Sequence, residues 1–78
     1  MNKHILLVMR WLKDKDSVSK EELAENKYGV WVDDVETIVY TAAYYAYWVN
    51  ADDAAYWVDE YFKRTGESRN EYLKELNK

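Results

Sequence analysis

Residues 33–66 read DDVETIVYTAAYYAYWVNADDAAYWVDEYFKRTG, and the reading of this stretch decides the fold. No Pro occurs in it, and no Gly before Gly66. Val35, Ile38, Val39, Ala42, Ala46 and Val49 recur at offsets of three and four, the spacing of one face of a helix. Ala54, Ala55, Val58, Tyr61 and Phe62 form a second such stripe. Asp33 is placed to cap the start, with Glu36 reaching back to it and Asp34 at the positive end of the helix dipole. Lys63 and Arg64 suit the negative end, and Gly66 suits the left-handed residue that closes a helix. The question is whether the stretch is one helix or two. A single helix from Asp34 to Arg64 would run about 46 Å at ~1.5 Å per residue, against a diameter of roughly 30 Å for a compact domain of this size. Asn50-Ala51-Asp52-Asp53 resolves the conflict, because Asn50 is a good N-cap with Asp53 three residues on. A break at Asn50 is the preferred reading. The alternative is one long helix whose overhang a second subunit buries.

Outward from this stretch, caps place the remaining helices. Asn2 opens one in which Ile5, Val8, Met9 and Leu12 share a face that Leu6 and Trp11 widen, and Lys13-Asp14-Lys15-Asp16 ends it. Ser19-Lys20-Glu21-Glu22 is a capping box for a short helix through Leu23 and Ala24 to Lys27, closed by Gly29 as a left-handed residue. Ser68-Arg69-Asn70-Glu71 is another box, before a last helix with Tyr72, Leu73 and Leu76 on one face. Tyr28 to Val32 comes nearest to a strand and is expected to be a loop whose Trp31 plugs the core. The expectation is an all-α chain, a single domain over residues 1–78. It is a compact bundle of about five helices at approximately 3–14, 20–27, 34–49, 52–65 and 69–77, with helices three and four possible as one.

Composition bounds what such a bundle can do. With 78 residues and no Cys, the chain has no disulfide framework, no Cys-ligated zinc and no thiol nucleophile. An intracellular, cytoplasmic setting is the expectation. Ile5 to Met9, the longest apolar run near the start, is shorter than the roughly 20 residues of a membrane span, and too short for a signal peptide. His4 is the only histidine and sits beside a cap, so it reads as a packing residue. Neither the paired acids at Asp52-Asp53 and Asp59-Glu60 nor the isolated glycines form a calcium loop or phosphate loop. No catalytic, cofactor-binding or metal-ligating set emerges, and an enzyme is not expected.

The aromatics stand out. Thirteen of the 78 residues are Tyr, Trp or Phe. Tyr40, Tyr44, Tyr45, Tyr47, Trp48, Tyr56 and Trp57 fall in a stretch without one positive charge. Between Lys27 and Lys63 lie seven acids and no Lys or Arg, so the flanks of this segment are net basic although the chain carries −4. Opposite the apolar stripe lies a tyrosine row, which gives Tyr40, Tyr44, Tyr47, Trp48, Asp52 and Tyr56 as the expected interaction surface. Its partner is expected to be a protein, either a host protein or a second copy in a symmetric dimer. Ala46-Tyr47-Trp48-Val49-Asn50 is echoed by Ala55-Tyr56-Trp57-Val58-Asp59, which would make Trp48 and Trp57 equivalent if a turn separates them.

Two resemblances bear on function. Val18 to Ala24, Tyr28-Gly29-Val30 and Asp33 to Val39 resemble a helix-turn-helix DNA-binding unit over about 22 residues. Ala24 to Gly29 is five residues where that pattern has four, and the second helix has none of the Arg, Lys, Asn or Gln side chains that read bases. Nucleic acid is therefore not the expected partner, and a degenerate regulator or an acidic mimic of nucleic acid stand as alternatives. Ala54 to Glu67 with Glu71-Tyr72-Leu73, together with Asn2 to Glu22, resemble small uncharacterised accessory proteins of large contractile-tailed bacteriophages. That resemblance implies a nonessential protein of an infected bacterial cytoplasm that binds host components.

Overall fold

A computed structural model describes residues 1–30 and 34–78, apart from the side chains of Asp34 and Val35. The expected capping role of Asp33, the core plug by Trp31 and the place of Val35 in its stripe lie outside the described residues. Five α-helices follow in order: α1 (Lys3–Lys13), α2 (Lys20–Tyr28), α3 (Asp34–Tyr47), α4 (Ala51–Thr65) and α5 (Arg69–Leu76). The described residues contain no strand. A short 3-10 turn, Lys15–Ser17, links α1 to α2, where the charge cluster had suggested only a solvated end. The domain has a radius of gyration of 11.2 Å and extents of 29 × 28 × 21 Å, so the long single helix is not present.

The break between α3 and α4 takes three residues. The Asn50 N–H bonds back to the Tyr45 carbonyl at 2.9 Å and the Val49 N–H to the Ala46 carbonyl at 3.0 Å, the paired pattern that ends a helix on a left-handed residue. That residue is Val49, with φ +60°. Asn50 then starts α4, its side-chain oxygen accepting the Asp53 N–H at 3.1 Å while its amide donates to the Asp53 carboxylate at 2.9 Å. One residue thus ends one helix and caps the next.

Other caps divide into those that form and those that do not. Asn2 accepts from the His4 and Ile5 N–H groups, and Ser19 with Glu22 makes the complete capping box. Gly66 is left-handed at φ +72°, its N–H bonded to the Phe62 carbonyl. Two expectations are corrected. Ser68 makes no side-chain cap bond, and only its carbonyl engages, accepting the Glu71 N–H at 3.2 Å. Gly29 is right-handed at φ −81°, so its use lies elsewhere: an added Cβ would stand 3.2 Å from both the Glu25 carbonyl oxygen and His4 Cε1. A side chain here would need the His4 ring or the Glu25 carbonyl to give by a few tenths of an ångström, because α1 approaches the end of α2.

The core joins Ile5, Val8, Met9 and Trp11 of α1 to Ile38 and Val39 of α3, Val58 and Tyr61 of α4, and Tyr72 of α5. Ala42, Ala43 and Ala46 of α3 and Ala54 of α4 are all buried, and side chains this small let two helices pack closely. Among the described residues α3 and α4 make the most extensive helix–helix contact. Val49, assigned by its spacing to the buried stripe, is instead largely exposed because the chain leaves the helix before it. Near the chain start a polar cluster ties three segments together. The Tyr61 and Tyr72 hydroxyls both donate to the Glu67 carboxylate, and the Asn2 N–H donates to the Tyr72 hydroxyl at 2.7 Å.

Candidate functional site

The aromatic residues of α3 form a connected cluster because Tyr40, Tyr44, Tyr47 and Trp48 follow at offsets that stack successive turns. Ring centroids lie 6.2 Å apart for Tyr40 and Tyr44, 6.3 Å for Tyr44 and Trp48, and 5.2 Å for Tyr47 and Trp48. The last two pairs meet edge to face, the arrangement that suits the ring quadrupole. The structure brings together four of the six residues expected to form the surface. Asp52 and Tyr56 sit across the corner on α4, both exposed, and Tyr56 pairs with Trp57 at 5.2 Å. Among the described residues, no ring contact joins Tyr56 to the α3 cluster.

The tyrosine row is not simply turned outward. Tyr40 and Tyr47 are half-buried, and α2 lays two lysines against the Tyr47 ring. The Lys27 ammonium sits 4.4 Å from the Tyr28 ring centroid, 4.7 Å from Tyr47 and 5.8 Å from Tyr44. Lys20 lies 5.3 Å from Tyr47. Lys27 is only 8% exposed, and the described residues place no carboxylate in ion-pair range of it. Ring faces attract the cation in place of an anion. The segment without a positive charge in sequence therefore receives cations from the preceding helix. Lys20 and Lys27 are seven residues apart, which puts them on one face of α2; that spacing was the available signal, but nothing in it names the tyrosines they meet.

At the α3–α4 corner Trp48 is 59% and Val49 68% exposed. Asp52 follows on the first turn of α4 with no ion pair among the described residues, whereas Asp53 is engaged by Asn50. Further along, Asp59 pairs with Arg69 and Glu60 with Lys63. Trp57 is half-buried, so the repeated motif does not place it as Trp48 is placed, although a turn does separate them.

The remaining polar groups are structural in geometry. His4 Nδ1 lies 2.7 Å from the Asn26 side-chain oxygen, and the Asn26 amide donates to the His4 carbonyl at 3.2 Å, which joins α1 to α2. Glu67 is held below the ordinary carboxylate range by the Tyr72 hydroxyl first and the Tyr61 hydroxyl second. Burial raises Tyr61 and Tyr72, and the hydrogen bonds to Glu67 raise them further. Among the described residues no three His, Cys, Asp or Glu side chains gather as a metal site, and no helix is long and apolar enough to cross a membrane. Comparison with protein-family models, with curated proteins and with solved structures finds no match for this chain.

Proposed function

We propose that this chain is a protein-interaction module whose contact surface is the α3–α4 corner and the aromatic cluster behind it, and that it acts as a phage-type accessory protein in the cytoplasm of an infected bacterium. Its partner in this reading is a host protein or a second copy, and it has no catalysis of its own. The observation that carries the reading is Val49. A β-branched residue at φ +60° costs about 1–2 kcal/mol that Gly would not, and here it exposes two adjacent apolar side chains to water. Ending α3 accounts for a left-handed residue at this place but not for a β-branched one, and the two adjacent apolar side chains exposed there suit a contact tip.

The acidic-mimic reading draws less support, because Asp59, Glu60 and Asp53 are already engaged by Arg69, Lys63 and Asn50. Capture from a bacterial lysate, followed by mass spectrometry, tests the interaction reading. Wild-type protein should retain a partner that Trp48→Ala and Tyr44→Ala variants release, and equal retention by all three would overturn it. Retention of DNA at low salt would instead favour the regulator reading.

A further inference from the structure

We propose that the Trp48–Val49 corner of one molecule docks in an apolar groove of a second copy, between its helices α1, α4 and α5. The proposal rests on the reading of the corner as a contact surface and names the partner. Met9 and Leu12 of α1, Ala55 and Val58 of α4, and Leu73 and Leu76 of α5 line this groove, which encloses about 300 Å³. That volume is at the lower end of the ~300–1,000 Å³ of sites that take small organic groups, and it suits an indole with an isopropyl group beside it. Leu73 is exposed at its mouth although it belongs to the apolar face of α5.

Charge selects the occupant. Lys13 and Arg69 stand at the rim. Arg69 is neutralised by Asp59 within the same rim, but the partner of Lys13 is the neutral side-chain oxygen of Asn77, and the described residues give it no carboxylate. Helix α1 carries Lys3, Arg10 and Lys13 and no acid. The corner has the opposite character, an apolar tip with Asp52, which has no ion pair among the described residues, four residues beyond Trp48. An apolar tip with an acidic shoulder and an apolar groove with a basic lip are complementary, and one chain supplies both. A second groove, of about 350 Å³ beside Leu6 and Leu7, also keeps one cation, Lys3, without an ion pair among the described residues. It is less suited because its lining is as polar as it is apolar and its Arg10 and Lys78 are already paired with Glu22 and Glu75, whereas the first groove is mostly apolar. Tip and groove are different patches; the contact closes as a two-fold dimer where each corner enters the other copy's groove, and is heterologous and extends further where only one does.

Complementation tests this in the intact protein. Wild type should sediment above 9.4 kDa at micromolar concentration. Trp48→Ala, which lacks the tip, and Ala55→Trp, which fills the groove, should each weaken association at least tenfold. Mixed in equal amounts they should associate again, because the first retains an intact groove and the second an intact tip. Leu73→Glu serves as a second groove variant at an already exposed position, and circular dichroism with thermal melting shows that each variant is folded. Asp52→Lys should weaken association as the tip variant does. A wild-type protein that stays at 9.4 kDa throughout, or a mixture no more associated than its components, overturns the proposal. Association lost in Trp48→Ala but kept in both groove variants also overturns the docking site, while leaving the corner as a contact surface. The lysate capture by Trp48 remains a separate test of that wider reading.

Discussion

At the residue scale, the most informative position is Val49. The left-handed residue that ends a helix is usually Gly, sometimes Asn, because a Cβ there crowds the following carbonyl. Val49→Gly removes about 1–2 kcal/mol of strain and returns about 0.5–1 kcal/mol of unfolded-state freedom, so it should stabilise the protein by roughly 0.5–1 kcal/mol. Urea unfolding, with the midpoint rising at unchanged slope, checks this. Glu67 makes the second case. Its carboxyl is depressed in the folded state, so its contribution to stability is present above the ordinary value of 4.5 and is lost as pH falls through the lower folded value. The melting temperature of wild type should therefore drop more steeply from pH 5 to pH 3 than that of Glu67→Gln. Tyr61 and Tyr72 shift the other way, with stability intact below the ordinary phenol value of 10.0 and lost as pH rises beyond it. In a spectrophotometric titration two of the eight tyrosines should ionise late, together with unfolding.

At the element scale, caps decide which helix ends are sharp. Asn50 and Ser19 make side-chain cap bonds to the Asp53 and Glu22 amides, and Ser68 makes none. Replacing Asn50 or Ser19 with Ala should each cost about 1 kcal/mol, and Ser68→Ala less than about 0.5 kcal/mol. Chemical denaturation of the three variants side by side separates them. The helices were legible because the 3.6-residue period and the cap residues are local signals: Asn2, Ser19, Asn50 and Gly66 act as their types suggest. What escaped was set by tertiary contact. Gly29 is crowded by the approach of His4, which lies 25 residues earlier in the chain, and the lysines on the tyrosine cluster come from another helix. Val49 was misplaced because spacing counts it as the next member of a stripe, while the backbone has already turned at Trp48.

At the scale of the whole molecule, α5 is the least anchored element. It is eight residues long, touches few neighbours, and commits one fully buried side chain, Tyr72, whose ring meets Phe62 edge to face at 5.0 Å. Tyr72→Ala should remove about 3–5 kcal/mol, a large share of the roughly 4–12 kcal/mol expected for a domain of this length, whereas Leu73→Ala should cost under about 1 kcal/mol. Thermal unfolding of the two variants checks the contrast. Hydrogen exchange should find the α5 amides opening before those of α3 and α4, which bury their faces on one another.

The lysine beneath the tyrosines has a chemical consequence. An amine reacts with an acylating reagent only where the reagent can approach, and three rings cover Lys27. Lys27 should be the last of the described lysines to be labelled. Loss of the Tyr47 ring would uncover it, which makes its labelling rate a reporter of whether the aromatic cluster is closed.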